Sequence, residues 1–543
     1  MRRDRTETER NARVEGRSSN IRHLARALAA FGSIICAATV AVAMRAPQSG
    51  LDLAFRQFWE AASSQTVLAA SEAIVASGAG FDEVMARLKT GREYSTNVRT
   101  GIVQGRHQVD GQDFFFSIEV PADYNPSRKY QVRFHLHGGV TGREENRPAA
   151  SAIGALAGDE QIYVMPSSWV DAPWWSEAQV KNLHALLNLV KRTYNVDENR
   201  VTMSGVSDGG TGAFYVAMRD ATPYANFTPL IGSLMLLASR NLGLEDLFPN
   251  NLLDKPFFVV NGDLDPLYPT SAVAPVLRYL KNGGVSVDFR RQPNGRHDTA
   301  WWPSARESFE KFVRDHPRNP LPDVLTWQRG EDDPFDRADW LIVNRLDATK
   351  RSAGLSDVNV VPTPLSTRFG LRLAGLRATY VEPGSNASGI GMRAQDVFEK
   401  INDRVVQPGD DLDEMLESCC AVGTPMKVVV LRNGEAVELS GVFDPRSRQG
   451  PTVSLFPRRQ PTGRVDLVKT GNVVRAITDG VGEFTLLLSP NSFDFSRPVT
   501  IFTNGKRSFE GRVDKDVATL LKWAAIDQDR TMLFGAELHV PVD

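Results

Sequence analysis

Between residues 99 and 320, short apolar runs alternate with longer stretches in which apolar residues return every three or four positions. FFFSIEV (114–120), QVRFHLH (131–137), QIYVMP (161–166), RVTMSG (200–205), FFVVNG (257–262) and VSVDFRRQ (285–292) have the length and the β-branched and aromatic content of strands. EAQVKNLHALLNLVKRTY (177–194) carries its apolar residues at helical spacing, and the helix-like TGAFYVAMRD follows RVTMSG. Strands alternating with helices predict a doubly wound, mainly parallel α/β sheet.

The pattern changes on either side. In 51–90, Phe55, Phe58, Trp59, Val67, Leu68, Ile74, Val75, Phe81, Val84, Met85 and Leu88 recur at helical spacing. This predicts a helical linker within 45–98 that packs on the following domain or leads to a membrane. After the prolines at 317, 320 and 322, LTWQRG and WLIVNRLD read as two strands. Residues 365–443 form a compact unit, and the Pro/Arg-rich stretch 446–462 reads as a linker. Residues 463–543 are mostly strands, with an Asn-Gly turn inside VTIFTNGKRSFEG, a short helix near 514–527 and a last strand, MLFGAELHV. The segment 321–350 has too little apolar surface to fold alone. It is expected to join 446–543 in one β-rich domain, with 365–443 inserted.

At the N-terminus, eight arginines and four acidic residues in 1–26 precede an uncharged run, 27–44. At 1.5 Å per residue this run spans about 27 Å, close to a bilayer core of roughly 30 Å. A basic flank stays in the cytoplasm. The run therefore predicts a membrane anchor, or a signal peptide cleaved near Ala41-Val42-Ala43, with the body exported to the cell envelope, periplasmic or secreted.

With 543 residues, the chain has room for roughly three or four domains. Its net charge of −2 gives no global basic field, so nucleic acid is not an expected partner. Cys36, Cys419 and Cys420 are the three cysteines; they allow no disulfide framework and no CxxC metal pattern. No phosphate loop or nucleotide fingerprint occurs, and no metal or cofactor is expected.

The candidate chemistry lies in VTMSGVSDGG (201–210). A strand runs into Gly205-Val206-Ser207-Asp208-Gly209, and a helix follows. This is the setting of a nucleophile elbow, whose tight turn needs neighbours without Cβ atoms. The turn would lift the Ser207 hydroxyl above the sheet and aim the Asp208 N–H at a developing oxyanion. A serine needs a base, and the base needs a carboxylate to orient it. Of the histidines after Ser207, His316 ends a helix-like run and His539 lies in the last strand. His297, in RRQPNGRHDTAWWP, is the candidate base. The strand FFVVNG ends at Gly262 and offers Asp263 and Asp265; Asp265 is favoured as the acid, and Asp263 could brace the loop. Upstream, FHLHGGV ends a strand in His137-Gly138-Gly139, where Gly139 or Val140 would give the second oxyanion N–H. Trp301-Trp302 follow His297, and Trp174-Trp175 precede a helix. Trp301, Trp302 and Trp175 are candidates to line a substrate pocket; core packing against a helix is favoured for Trp301-Trp302, and for Trp174-Trp175 pocket and core stand equally.

Together, HGG (137–139), GVSDGG (205–210), GDLD (262–265) and GRH (295–297) resemble the α/β-hydrolases. The likeness covers about 99–318. It is nearest to secreted esterases such as polyhydroxybutyrate depolymerases and feruloyl esterases, and prolyl-oligopeptidase-like peptidases share much of the pattern. The resemblance implies attack by Ser207, an acyl-enzyme, and hydrolysis by water activated by His297. Residues 365–443 resemble a PDZ domain of the bacterial envelope-protease type, through VEPGS, MRAQDVFEKIN, DLDEMLESC and VVVLRNG. Gln395-Asp396 stand where Gly-Asp is usual. RFGL (368–371) matches the carboxylate-binding loop, which implies that backbone N–H groups of Phe369, Gly370 and Leu371 hold a peptide C-terminus. The expected function is an exported serine hydrolase of small ester or acylated substrates with a peptide-binding module. A serine peptidase and a non-catalytic envelope scaffold are the alternatives.

Overall fold

In the computed structural model, which describes residues 50–61, 64–140, 152–239, 244, 246–351, 355–361, 363–445 and 453–543, eight strands form the first sheet. They are β1 (Gly101–Val109), β2 (Gln112–Val120), β3 (Tyr130–Leu136), β4 (Ile162–Pro166), β5 (Val196–Val206), β6 (Asn226–Leu230), β7 (Phe257–Gly262) and β8 (Val287–Gln292). Their order across the sheet is β1-β2-β4-β3-β5-β6-β7-β8. β1 and β2 form a hairpin, β2 runs antiparallel to β4, and every later pair is parallel.

β6 and β7 are buried at every position, as central strands are when helices cover both faces. Alternation sends successive side chains to opposite faces. Phe257 and Val259 join a core with Leu183 and Leu186 of helix Glu177–Thr193 and Phe214 of helix Asp208–Arg219. Phe258 and Val260 face the other way, onto Phe309 and Phe312 of helix Trp302–Asp315. The chain is thus a multidomain mixed α/β protein whose main sheet is largely parallel.

Two further sheets are built from both ends of the remaining chain. One holds Val324–Gly330, Thr462–Thr470, Val473–Asp479, Val499–Thr503 and Lys506–Gly511. The other holds Arg337–Ala338, Leu341–Leu346, Val481–Leu488 and Ala536–Pro541. Asn504 and Gly505 both have positive φ, 51° and 81°, as a two-residue hairpin turn of this twist requires. Trp327, Leu467 and Leu486 of these sheets, with Trp340 from the turn before Leu341, run on into the core of the first sheet. Buried charges cross the same seam: Arg318 pairs with Asp529, and Arg530 with Glu198.

Residues 365–443 have their own core, with Phe369, Leu371, Phe398, Leu416, Val428 and Val430 at its centre. Leu371–Ala374, Arg377–Val381, Val397–Ile401, Pro425–Arg432 and Glu435–Val442 form its antiparallel sheet in chain order, and Arg404–Val405 pairs with Val397–Ile401. The chain enters and leaves this unit through a short ladder in which Val360 lies opposite Ser454. Gln395 takes φ +76°, a left-handed position that favours glycine. Asp396 is buried and accepts two bonds from Arg432, both at 2.8 Å. Cys419 and Cys420 are bonded to each other. The cysteine pattern had offered no framework, and a bridge between adjacent residues encloses no length of chain.

The N-terminal helices Gly50–Glu60, Ser64–Ala76 and Phe81–Thr90 depart from one expectation. Phe55, Phe58, Val84 and Leu88 pack on Leu520 and Leu521 of helix Val517–Asp527, near the other end of the chain, rather than on the domain that follows. The basic segment 1–26 and the apolar run 27–44 lie outside the described residues. Among the described residues no helix is long and apolar enough to cross a membrane.

Candidate active site

Ser207 occupies the turn between β5 and helix Asp208–Arg219, with φ +54° and ψ −117°. That region costs a non-glycine residue about 1–3 kcal/mol, and such strain is held only where the surroundings over-determine it. Here the surroundings are backbone. A Cβ on Gly205 would lie 2.1 Å from the Gly209 carbonyl oxygen, and one on Gly209 would lie 2.0 Å from that of Leu136. Neither contact can be relieved by moving a side chain. Gly209→Ala is therefore expected to destabilise the fold by about 3 kcal/mol and to open the turn. Thermal denaturation beside Gly389→Ala, where an added Cβ meets nothing within 4 Å, checks this.

Three side chains expected from the sequence come together at this turn. Ser207 Oγ lies 2.8 Å from His297 Nε2, and His297 Nδ1 lies 2.8 Å from Asp265 Oδ2. Ser207 follows β5, Asp265 follows β7 and His297 follows β8, so all three stand at the C-terminal edge of the parallel part of the sheet. The Asp265 side chain is fully buried, and its Oδ1 accepts the N–H groups of Leu267 at 2.8 Å and Tyr268 at 2.9 Å. One oxygen is spent on the loop, which leaves the other aimed at His297. The Tyr268 ring packs edge-on to the imidazole, with centroids 5.7 Å apart. Asp263 takes the bracing role, accepting from Thr270 Oγ1 at 2.6 Å and from Arg291.

The HGG loop lies against the serine: a Cβ on Gly138 would sit 3.0 Å from Ser207 Cβ. Several bonds fix it. The Ser168 N–H donates to His137 Nε2 at 3.0 Å, so the ring proton is on Nδ1, which faces the Gly138 carbonyl at 3.0 Å. Burial holds the His137 pKa below its ordinary value, which keeps this ring neutral. Trp174, fully buried, donates its indole N–H to the His137 carbonyl at 2.9 Å. The Val140 N–H donates to Asp208 Oδ2 at 2.8 Å. This removes Val140 from the two candidates for the second oxyanion donor. It also gives the Asp208 carboxylate a role the sequence reading did not anticipate, tying the loop to the turn. The N–H groups of Gly139 and Asp208 make no hydrogen bond among the described residues.

Trp301 and Trp302 take the favoured core reading, which corrects their candidacy for a substrate pocket. Trp301 and Trp302 are 8% and 3% exposed and pack with Leu230, Phe258 and Phe309 on the face opposite helix Asp208–Arg219. Their N–H groups are satisfied by the carbonyls of Asp298, at 2.7 Å, and Ala157, at 3.4 Å. They are core residues. Trp175 is half-buried at the edge of the core. In the inserted unit, the Phe369 ring is buried and Leu371 lies in the edge strand opposite Val381. Gly370, with φ +104°, turns its N–H back to the carbonyls of Ser366 and Thr367 as a helix cap, so this donor is not free for a carboxylate. Among the described residues no group of three His, Cys, Asp or Glu side chains is placed to hold a metal ion.

No protein-family model and no curated protein matches the chain. Solved structures are similar to part of it. A thermostable esterase is 19% identical with a TM-score of 0.33 over 40% of this chain, which spans 63% of that esterase, less than two thirds of its length. A ferulic acid esterase is 18% identical, with a TM-score of 0.32 over 40% of this chain and 98% of its own. Thermogutta terrifontis esterase 2, phosphorylated by paraoxon, is 16% identical, with a TM-score of 0.31 over 40% of this chain and 94% of its own.

Proposed function

We propose that the chain is an α/β-hydrolase-type serine hydrolase that cleaves carboxylic esters, with Ser207 as nucleophile, His297 as base and Asp265 as the orienting acid. The continuous hydrogen-bonded path from Ser207 Oγ through His297 to the buried Asp265 carries this reading. Ser207 Oγ bonds to the ester carbonyl carbon as its proton passes to His297 Nε2. The Asp208 and Gly139 N–H groups face the oxyanion that forms. Collapse breaks the bond to the alcohol oxygen, which takes the proton from His297. Water then attacks the acyl carbon as His297 Nε2 takes its proton; collapse breaks the bond to Ser207 Oγ, which recovers the proton from His297, and the carboxylic acid is released.

The inserted unit is read as a PDZ domain with a peptide C-terminus as its partner; its sheet order supports the domain reading, while the capped Gly370 N–H leaves carboxylate capture to other groups of that loop. The body is placed outside the cytoplasm on the strength of the N-terminal sequence pattern. Turnover of short-chain nitrophenyl esters, compared with peptide anilides, tests the main reading. Ester hydrolysis should fall by about a million-fold in Ser207→Ala. Peptide cleavage with no ester turnover would point to a peptidase.

A further inference from the structure

The loop that carries Asp265 is gripped from outside the triad. Asp263 stands two residues before the acid. Its Oδ1 accepts from Thr270 Oγ1 at 2.6 Å, which closes the loop 263–270 at its base. Arg291, near the end of β8, forks onto the same carboxylate, with Nε donating to Oδ1 at 3.1 Å and Nη2 to Oδ2 at 2.8 Å. The same guanidinium also reaches the inserted unit. Nη1 donates to Asp410 Oδ1 at 2.7 Å, and Nη2 to the Pro408 carbonyl at 2.8 Å.

A second observation shows how close the two bodies are. Gly409, between those two partners, has φ +88°, and a Cβ there would lie 1.9 Å from Thr270 Oγ1 and 2.3 Å from Asp263 Oδ1. The backbone of the inserted unit therefore rests on the bond that closes the acid loop. Next to it, Arg278 of helix Thr270–Asn282 donates from Nε to Asp411 Oδ2 at 2.8 Å, so the helix leaving the acid loop is tied to the same segment.

We propose that Arg291 is a positioning residue that transmits the docking of residues 365–443 to the acid loop and so sets the aim of Asp265 at His297. The proposal rests on the triad reading above. The Arg291 guanidinium is 35% exposed, and a solvent-screened ion pair contributes little stability by itself. A guanidinium fork, however, fixes the plane of the carboxylate it holds, and misplacing a catalytic group by about 1 Å costs about a hundredfold in rate. The inserted unit is then part of what aims the acid, and displacing it is felt at Ser207.

The full chain is assayed on a short-chain nitrophenyl ester, with thermal denaturation alongside. Arg291→Gln should lower kcat about tenfold with KM changed less than about twofold. Arg291→Lys, which keeps the charge and loses the fork, should recover only part of the loss. Asp410→Asn leaves the Arg291–Asp263 fork in place and should lower kcat by a smaller factor, and the double variant should be no worse than Arg291→Gln alone. An unchanged kcat in Arg291→Gln, with or without a lower Tm, overturns the proposal, as does an effect confined to KM. If Arg291→Gln does not fold, Asp410→Asn decides the matter, and an unchanged kcat there overturns it. Ester turnover that survives Ser207→Ala is a separate failure, of the triad reading itself.

Discussion

Asp265→Asn is expected to lower ester turnover about ten-thousand-fold while leaving the fold intact. The reason lies in how the two carboxylate oxygens are used. Oδ1 accepts the N–H groups of Leu267 and Tyr268, so an asparagine at 265 keeps its carbonyl oxygen there. Its NH2 group is then forced towards His297 Nδ1, where the aspartate oxygen lies at 2.8 Å. A donor facing Nδ1 selects the tautomer with the proton on Nε2, and that nitrogen can no longer accept the Ser207 proton. The side chain keeps its shape and its loop bonds, so Tm should hardly move. Steady-state kinetics with thermal denaturation checks this, and a loss of turnover below about tenfold would show that Asp265 does not set the tautomer.

Asp529→Asn is expected to destabilise the protein by about 3–5 kcal/mol at neutral pH. Asp529 is buried where the first sheet meets the β-rich domain. Its Oδ2 accepts from Arg318 at 2.6 Å and lies 3.9 Å from Lys191, and its Oδ1 accepts from the Thr531 N–H at 2.8 Å. Arg318 and Lys191 are themselves buried, so neutralising the aspartate leaves two cations in the seam without their counter-charge. Burial alone would raise the Asp529 pKa, but Arg318 and Lys191 outweigh it and hold the carboxyl below its ordinary range. The sign of the pH dependence follows. This contribution is fully present above the unfolded carboxyl pKa of about 4, and it is lost as pH falls through the lower folded value. Unfolding in denaturant at neutral pH should show the loss in the variant. Acidification below about pH 4 should narrow the gap between variant and wild type.

The sequence reading singled out Ser207 and Asp265 because each follows an apolar strand with glycine at its end, and His297 because it follows a strand and a glycine turn; the fold brings the three side chains together. The strands it missed have physical reasons. β1 (GIVQGRHQV) is an edge strand with little apolar alternation. β6 (NFTPL) is short and carries Pro229, which argues against a central strand, yet its partners β5 and β7 bury it completely. Periodicity cannot show contacts between segments far apart in the chain. The bond from Asp208 to Val140, the brace from Trp174 to His137 and the grip of Arg291 on Asp263 all depend on the fold. The same limit explains Trp301 and Trp302. An aromatic pair after the His297 loop fits either a pocket wall or core packing against a helix, and only the fold shows that both rings are turned inward.

Labelling the chain with a fluorophosphonate and mapping the modified peptide tests the central claim most directly. The account predicts stoichiometric modification at Ser207, abolished in Ser207→Ala and strongly slowed in His297→Ala. Folded wild-type protein that takes up no label, or label that persists in Ser207→Ala, would contradict it.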